Sequence, residues 1–207
     1  MELLSSQNIQ DYLESTHFID WKSPAILEQV KRISQELSQP EQIAKACFLF
    51  VRDEIKHSWD HQLNPVTCRA SDVLTHKTGF CYAKSHLLAA LLRANGIPAG
   101  LCYQRLTISN DQPPFCLHGL NAIYLPDHGW YRVDARGNKP GVDAQFCPPT
   151  EQLAFPIISE GEQDFATIYA EPLPLITELL ESAASYQEVA ERLPDAVTLN
   201  NHRPYDA

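Results

Sequence analysis

The sequence has no Cys-x-x-Cys pair, no cluster of lysines or arginines, no internal repeat and no low-complexity tract. The first absence argues against a tetrahedral zinc site built from cysteines, and no motif implies any other metal or cofactor. The missing basic clusters, together with a formal net charge of −10, argue against nucleic acid or an anionic membrane surface as partner. The acidic excess itself reads as simple solubility. No apolar run approaches the ~20 residues of a membrane span. Met1 to Gln7 lacks the basic start and apolar stretch of a signal peptide, which predicts a cytoplasmic protein. With 207 residues and no clear linker, the chain reads as one domain over 1–207.

Six cysteines are present, but their scatter and the missing export signal argue against a disulfide framework. Cys47 falls in a helical pattern, Cys102 and Cys116 on expected core strands, and Cys68 and Cys147 in loop-like stretches. Cys81 differs. Gly79-Phe80-Cys81 runs directly into a segment in which Leu88, Leu91 and Leu92 recur at helical spacing, so Cys81 falls in the first turn of a predicted amphipathic helix. The unpaired N–H groups and positive dipole end of such a turn favour an anion. The thiolate is the reactive form of cysteine. Placement alone leaves a buried structural thiol equally open.

The downstream pattern shifts that balance. Phe115 to Leu125 reads as a strand, Pro126 to Gly129 as a turn, and Trp130 to Asp134 as the returning strand. His118 and Asp134 are both even-numbered, so a hairpin loop with an odd number of residues would put both side chains on one face. A helix-start cysteine followed by a histidine and an aspartate on adjacent strands supplies a nucleophile, a base and a group to orient the base.

Gly79-Phe80-Cys81, the leucine-rich helix to Arg93, Gly96-Ile97-Pro98-Ala99, His118, Gly129-Trp130 and Val133-Asp134 together resemble the core of the transglutaminase-like superfamily, which has the papain-like cysteine fold. The resemblance covers about residues 44 to 134, within an expected catalytic core of about 44–140. It implies an α+β fold whose nucleophile helix packs on a small antiparallel sheet; the helix signals before it and the many prolines after Pro140 add a helical N-terminal flank and a loop-rich C-terminal one. It also implies acyl transfer at a carboxamide of a peptide or small amide, with Cys81, His118 and Asp134 as catalytic residues and no cofactor. One departure stands out: where family strands often carry an aromatic and an acidic residue shortly after the histidine, this chain has Gly119-Leu120-Asn121-Ala122. By the same resemblance Trp59 is a candidate side-chain donor to an oxyanion, and Gln104, on the strand after the nucleophile helix, is a second, beside the backbone N–H of Cys81.

Three other readings of the pattern are weaker. An acyl-CoA-dependent arylamine acetyltransferase would carry an arginine- and glycine-rich run before the cysteine, which is missing. A zinc-containing glycan amidase would need paired Cys-x-x-Cys motifs. A non-catalytic binding module has no need of a complete Cys, His and Asp set. Within the favoured reading, hydrolysis and transfer to an amine, as in a protein-glutamine transglutaminase, both stay open.

Elsewhere, Ser23-Pro24 predicts a helix to about Leu37, and Pro40 opens a second bearing Ile43, Cys47, Phe50, Val51 and Ile55. A helical turn is expected at Ala70 to Leu74, a first central strand from Pro98 to Ile108, and late helices near Pro174–Ser182 and Ser185–Arg192. His57 and His61 share a helical spacing but lack a third ligand. His86, His128 and Lys84 are expected to be a solvent-facing helix residue, a turn residue and a solvated charge.

Overall fold

The structure is a computed structural model that describes residues 1–6, 8–109 and 112–195. Proline sets up the helical N-terminal flank, because its fixed φ suits a first helical turn and its missing N–H is not needed there. After a 3-10 helix at Ile9–Leu13, Pro24 opens α1 (Pro24–Ser34) and Pro40 opens α2 (Pro40–Glu54). α1 stops short of Leu37, and Ser23 makes no capping hydrogen bond. α2 buries Ala44, Cys47, Phe48 and Val51.

The chain then forms β1 (Lys56–His57), the single turn α3 (Ser58–His61), α4 (Ala70–His76) and β2 (Thr78–Gly79). β1 and β2 pair in parallel, which sets His57 across from Gly79, two residues before Cys81. α5 (Cys81–Ala94) follows at once. It is not the amphipathic helix that its leucine spacing predicts. Every residue from Cys81 to Arg93 is buried, because α1, α2 and α4 pack on it along with the sheet. A helix enclosed on all sides has no solvent face for its polar residues.

The sheet that backs α5 contains β3 (Ala99–Ser109), β4 (Gln112–Leu125) and β5 (Gly129–Val133). β6 (Gln145–Cys147) and β7 (Thr150–Gln152) form a separate hairpin, while β8 (Gln163–Asp164) closes the main sheet in the order β5-β4-β3-β8, antiparallel throughout. Leu125 pairs with Gly129, so the β4–β5 loop is the three residues 126–128, an odd number. Asn121 pairs with Val133, which carries Asp134 past the end of β5 to a position across from Leu120. His118 and Asp134 are therefore diagonal neighbours on one face of the sheet. α6 (Pro174–Ser182) and α7 (Tyr186–Glu191) complete a C-terminal flank that is loop-rich, as expected. Separate helices against an antiparallel sheet make the fold α+β. No helix among the described residues is long and apolar enough to cross a membrane.

Candidate active site

Cys81 is the first residue of α5, and Phe80 at the N-cap supplies no side-chain hydrogen bond. The positive end of the helix dipole therefore lies at this cysteine without a capping side chain to neutralise it. The Gly119 N–H donates to Cys81 Sγ at 3.5 Å. That approach needs a glycine: a Cβ at position 119 would stand 2.8 Å from Tyr82 Cδ1 and 3.2 Å from Tyr82 Cα. The residue that departs from the family pattern is thus the one that lets the helix start meet β4. Further hydrogen bonds support this region. The Tyr82 hydroxyl donates to the Leu117 carbonyl, and the Asn121 amide donates to the carbonyls of Ser85 (2.9 Å) and Gly100 (3.2 Å).

His118 Nε2 lies 2.7 Å from Asp134 Oδ2, and both side chains are buried. Asp134 also accepts the backbone N–H groups of Arg136 (3.0 Å) and Ala154 (3.2 Å). Burial by itself would raise its carboxyl pKa, but His118 and these two N–H groups outweigh burial and hold it below the usual range. Burial likewise would lower the His118 pKa. The Asp134 charge, then the Cys81 sulfur through charge and a hydrogen bond, push it up to about 10 instead. With Nε2 on Asp134, the other ring nitrogen is left to the cysteine side. The Phe155 ring stands edge-on to the imidazole with centroids 5.1 Å apart, which limits its rotation.

Cys81 and His118 border a cleft of about 830 Å³, while Asp134 is fully buried and meets it only through His118. One wall is apolar, with Leu106, Ile108, Phe155, Ile158 and Leu193. The other is cationic: Arg136 grips Asp60 at 2.6 and 3.1 Å, and Lys139 binds the same carboxylate at 2.6 Å. Burial would raise the Asp60 carboxyl, but these two cations bring it down to about 2. His57 lines the same wall, its Nδ1 3.6 Å from Asp60 Oδ2. Burial and the Arg136 charge push its pKa well down. Arg136, Lys139 and Asp60 were not legible as site residues. Their only sequence signal is the position of Arg136 two residues after Asp134.

The oxyanion candidates separate. Trp59 borders the cleft, half of its surface exposed and its ring edge-on to Tyr186. Gln104 sits directly across from His118 in the β3–β4 register, yet its amide donates to the Phe155 carbonyl (3.3 Å) and to Asp164 Oδ1 (3.0 Å). It lines a separate cavity with Arg132 and Glu151, so its donors do not serve the Cys81 cleft. Two other expectations are corrected. His86 is buried, its Nδ1 2.8 Å from the Cys68 carbonyl, and burial pushes its pKa down to about 4. Lys84 is fully buried and donates to the Ile55 carbonyl and, at 3.4 Å, to that of Arg52. Burial and then Arg136 bring its pKa down to about 7. Both errors follow from α5 having no solvent face. His128 lies in its turn, 3.4 Å from Glu41. His57 and His61 do not converge, one being buried and the other exposed. Among the described residues no group of three His, Cys, Asp or Glu side chains is placed to hold a metal ion.

No curated protein matches the chain significantly in sequence. Among solved structures, it is similar to an inferred cysteine protease from Cytophaga hutchinsonii at 19% identity and a TM-score of 0.51, over 63% of this chain and 43% of that one. It also matches the periplasmic domain of TgpA from Pseudomonas aeruginosa at 21% identity and a TM-score of 0.46, over 63% of this chain and 48% of that one. The match thus spans less than half of each of these structures. The first likeness shows the fold. The family model of the transglutaminase-like superfamily matches residues 28–135, more than half of the chain and including Cys81, His118 and Asp134, and the chain therefore belongs to that superfamily.

Proposed function

We propose that the protein is a cysteine-dependent hydrolase of peptide or small amide substrates, acting through a thioester on Cys81. Superfamily membership supports a cysteine-dependent enzyme in general. The observation that carries the specific reading is the 2.7 Å bond from His118 to a buried Asp134, with the imidazole beside a helix-start cysteine. Asp134 holds one tautomer and favours the imidazolium, the charge state that accompanies a thiolate. Cys81 Sγ attacks the carboxamide carbon, forming the C–S bond. The carbonyl oxygen becomes an oxyanion, for which the Cys81 backbone N–H is the proposed donor and Trp59 the side-chain candidate. His118 then gives its proton to the departing nitrogen as the C–N bond breaks, leaving a thioester and a free amine. Neutral His118 next takes a proton from water, whose oxygen attacks the thioester; the C–S bond breaks, the acid leaves, and the thiolate–imidazolium pair is restored.

A screen of peptide and amide substrates, followed by acid quench and intact-mass analysis, tests this reading. The expected result is an adduct of the acyl mass on Cys81 that is lost in Cys81→Ala. Turnover that survives Cys81→Ala would overturn it.

A further inference from the structure

β5 pairs with β4 only from Asn121 onward, so among the described residues the edge of β4 before Asn121 has no strand beside it on that side. Two of its N–H groups point away from β3. The Gly119 N–H donates to Cys81 Sγ, and the Leu117 N–H donates at 2.7 Å to the carbonyl of Pro194. Pro194 belongs to the segment after α7, which meets this edge through that bond. Leu193 lines the Cys81 cleft. Asp195 is held by the Nε and Nη2 groups of Arg105 at 2.6 and 2.7 Å, the bidentate fork that matches a carboxylate. Arg105 itself is fixed in advance. Its guanidinium stacks on Phe115 at 3.8 Å, and Nη1 donates to the Gly161 carbonyl at 2.7 Å, which leaves the Nε–Nη2 edge for the acid.

We propose that Arg105 and the Leu117 N–H form a subsite for an extended acidic peptide, and that the chain's own Leu193–Asp195 occupies it as a tethered competitor. The proposal deepens the hydrolase reading by naming a substrate class: a peptide with an apolar residue followed two positions later by a carboxylate. Recognition is strand addition: the main chain bonds to the β4 edge, an apolar side chain enters the cleft, and the acid takes the arginine fork. A tethered occupant acts at an effective concentration of the order of millimolar, so it excludes weak ligands and yields to tight ones.

The test measures binding without catalysis. All proteins carry Cys81→Ala, and the probe is a fluorescent synthetic peptide with the sequence of residues 190–197, followed by anisotropy. Asp195→Ala should bind the probe about tenfold more tightly than the parent, because the competitor has lost its anchor. Adding Arg105→Ala should then weaken binding by about tenfold or more, the scale of a charged hydrogen-bond pair. Arg105→Lys, which keeps the charge but not the fork, should fall between. Replacing the probe's aspartate by asparagine should match the loss seen with Arg105→Ala. Equal affinity in the parent and Asp195→Ala, or binding indifferent to both Arg105 variants, would overturn the proposal. Since the binding needs no nucleophile, failure of the hydrolase reading would leave these results unchanged.

Discussion

The Asp134 carboxylate binds His118 Nε2 at 2.7 Å and has no surface of its own exposed to solvent. It also accepts from the Arg136 and Ala154 N–H groups, so its hydrogen bonds among the described residues come from one imidazole and two backbone donors. Such a carboxylate orients the ring and makes protonation of His118 favourable; it does not itself take up the proton.

Asp134→Asn should therefore leave the fold in place and lower kcat/KM by about 10³- to 10⁴-fold, through the wrong imidazole tautomer. An amide NH₂ facing the backbone donors should also reduce stability by about 1–3 kcal/mol. Kinetics and thermal unfolding on one preparation check both. Retained turnover in a folded Asp134→Asn protein would contradict this role.

His118 has a folded pKa of about 10 against an ordinary value of 6.5. A histidine raised on folding adds stability that is fully present below pH 6.5 and is lost as pH rises through 10. Relative to His118→Gln, the wild-type protein should lose stability steadily from neutral pH to about pH 10. Removing either partner that raises it should lower the His118 pKa, so its NMR titration should move down in Asp134→Asn and in Cys81→Ala.

Lys84 carries the opposite sign. Its folded pKa of about 7 lies below the ordinary 10.5 because burial opposes the charge. The unfolded chain binds the extra proton between these values, so this group penalises folding below pH 7 and the penalty fades as pH rises to 10.5. The stability difference between wild type and Lys84→Met should accordingly shift in favour of wild type over that interval. A flat difference across it would mean that Lys84 reaches solvent.

These contrasts mark what the sequence made legible. Pro24, Pro40 and Pro174 announce helix starts because proline's backbone restriction is local. The parity of His118 and Asp134 carries their shared face because strand geometry has period two. The burial of Lys84 and His86 was not legible, since it depends on α1, α2 and α4 surrounding α5, which no pattern within α5 encodes. Gln104 shows the same limit: its register is readable, but the pull of Asp164 and the Phe155 carbonyl on its amide comes from 60 and 51 residues away. The Asp60, Arg136 and Lys139 cluster joins residues 76 to 79 apart in sequence. Such pairings arise only when the fold closes.

Hydrolysis should outrun transfer to amines. Transfer requires a water-excluding cleft with a second channel for the acceptor, because an exposed thioester is readily hydrolysed. The carboxylates that could hold a protonated amine near this cleft are engaged, Asp60 by Arg136 and Lys139 and Glu162 by the N–H groups of Thr107, Ile158 and Ser159. With an accepted glutamine peptide and excess primary amine, ammonia and free glutamate should dominate. Preferential amine incorporation at modest concentration would make the protein a transglutaminase in the strict sense.

The central claim, that Cys81 is the nucleophile, meets its most direct test in a competition among the six cysteines. Cys147 is exposed whereas Cys81 is only 8% exposed, so access alone would put Cys147 first. Burial raises the thiols of Cys47, Cys68, Cys102 and Cys116 to about 12, which makes them slow. Limiting iodoacetamide at about pH 6, where ordinary thiols are protonated, followed by peptide mapping, separates activation from exposure. Cys81 should be labelled first, and His118→Ala should abolish its lead. Labelling of Cys147 ahead of Cys81 in the wild-type protein would contradict it.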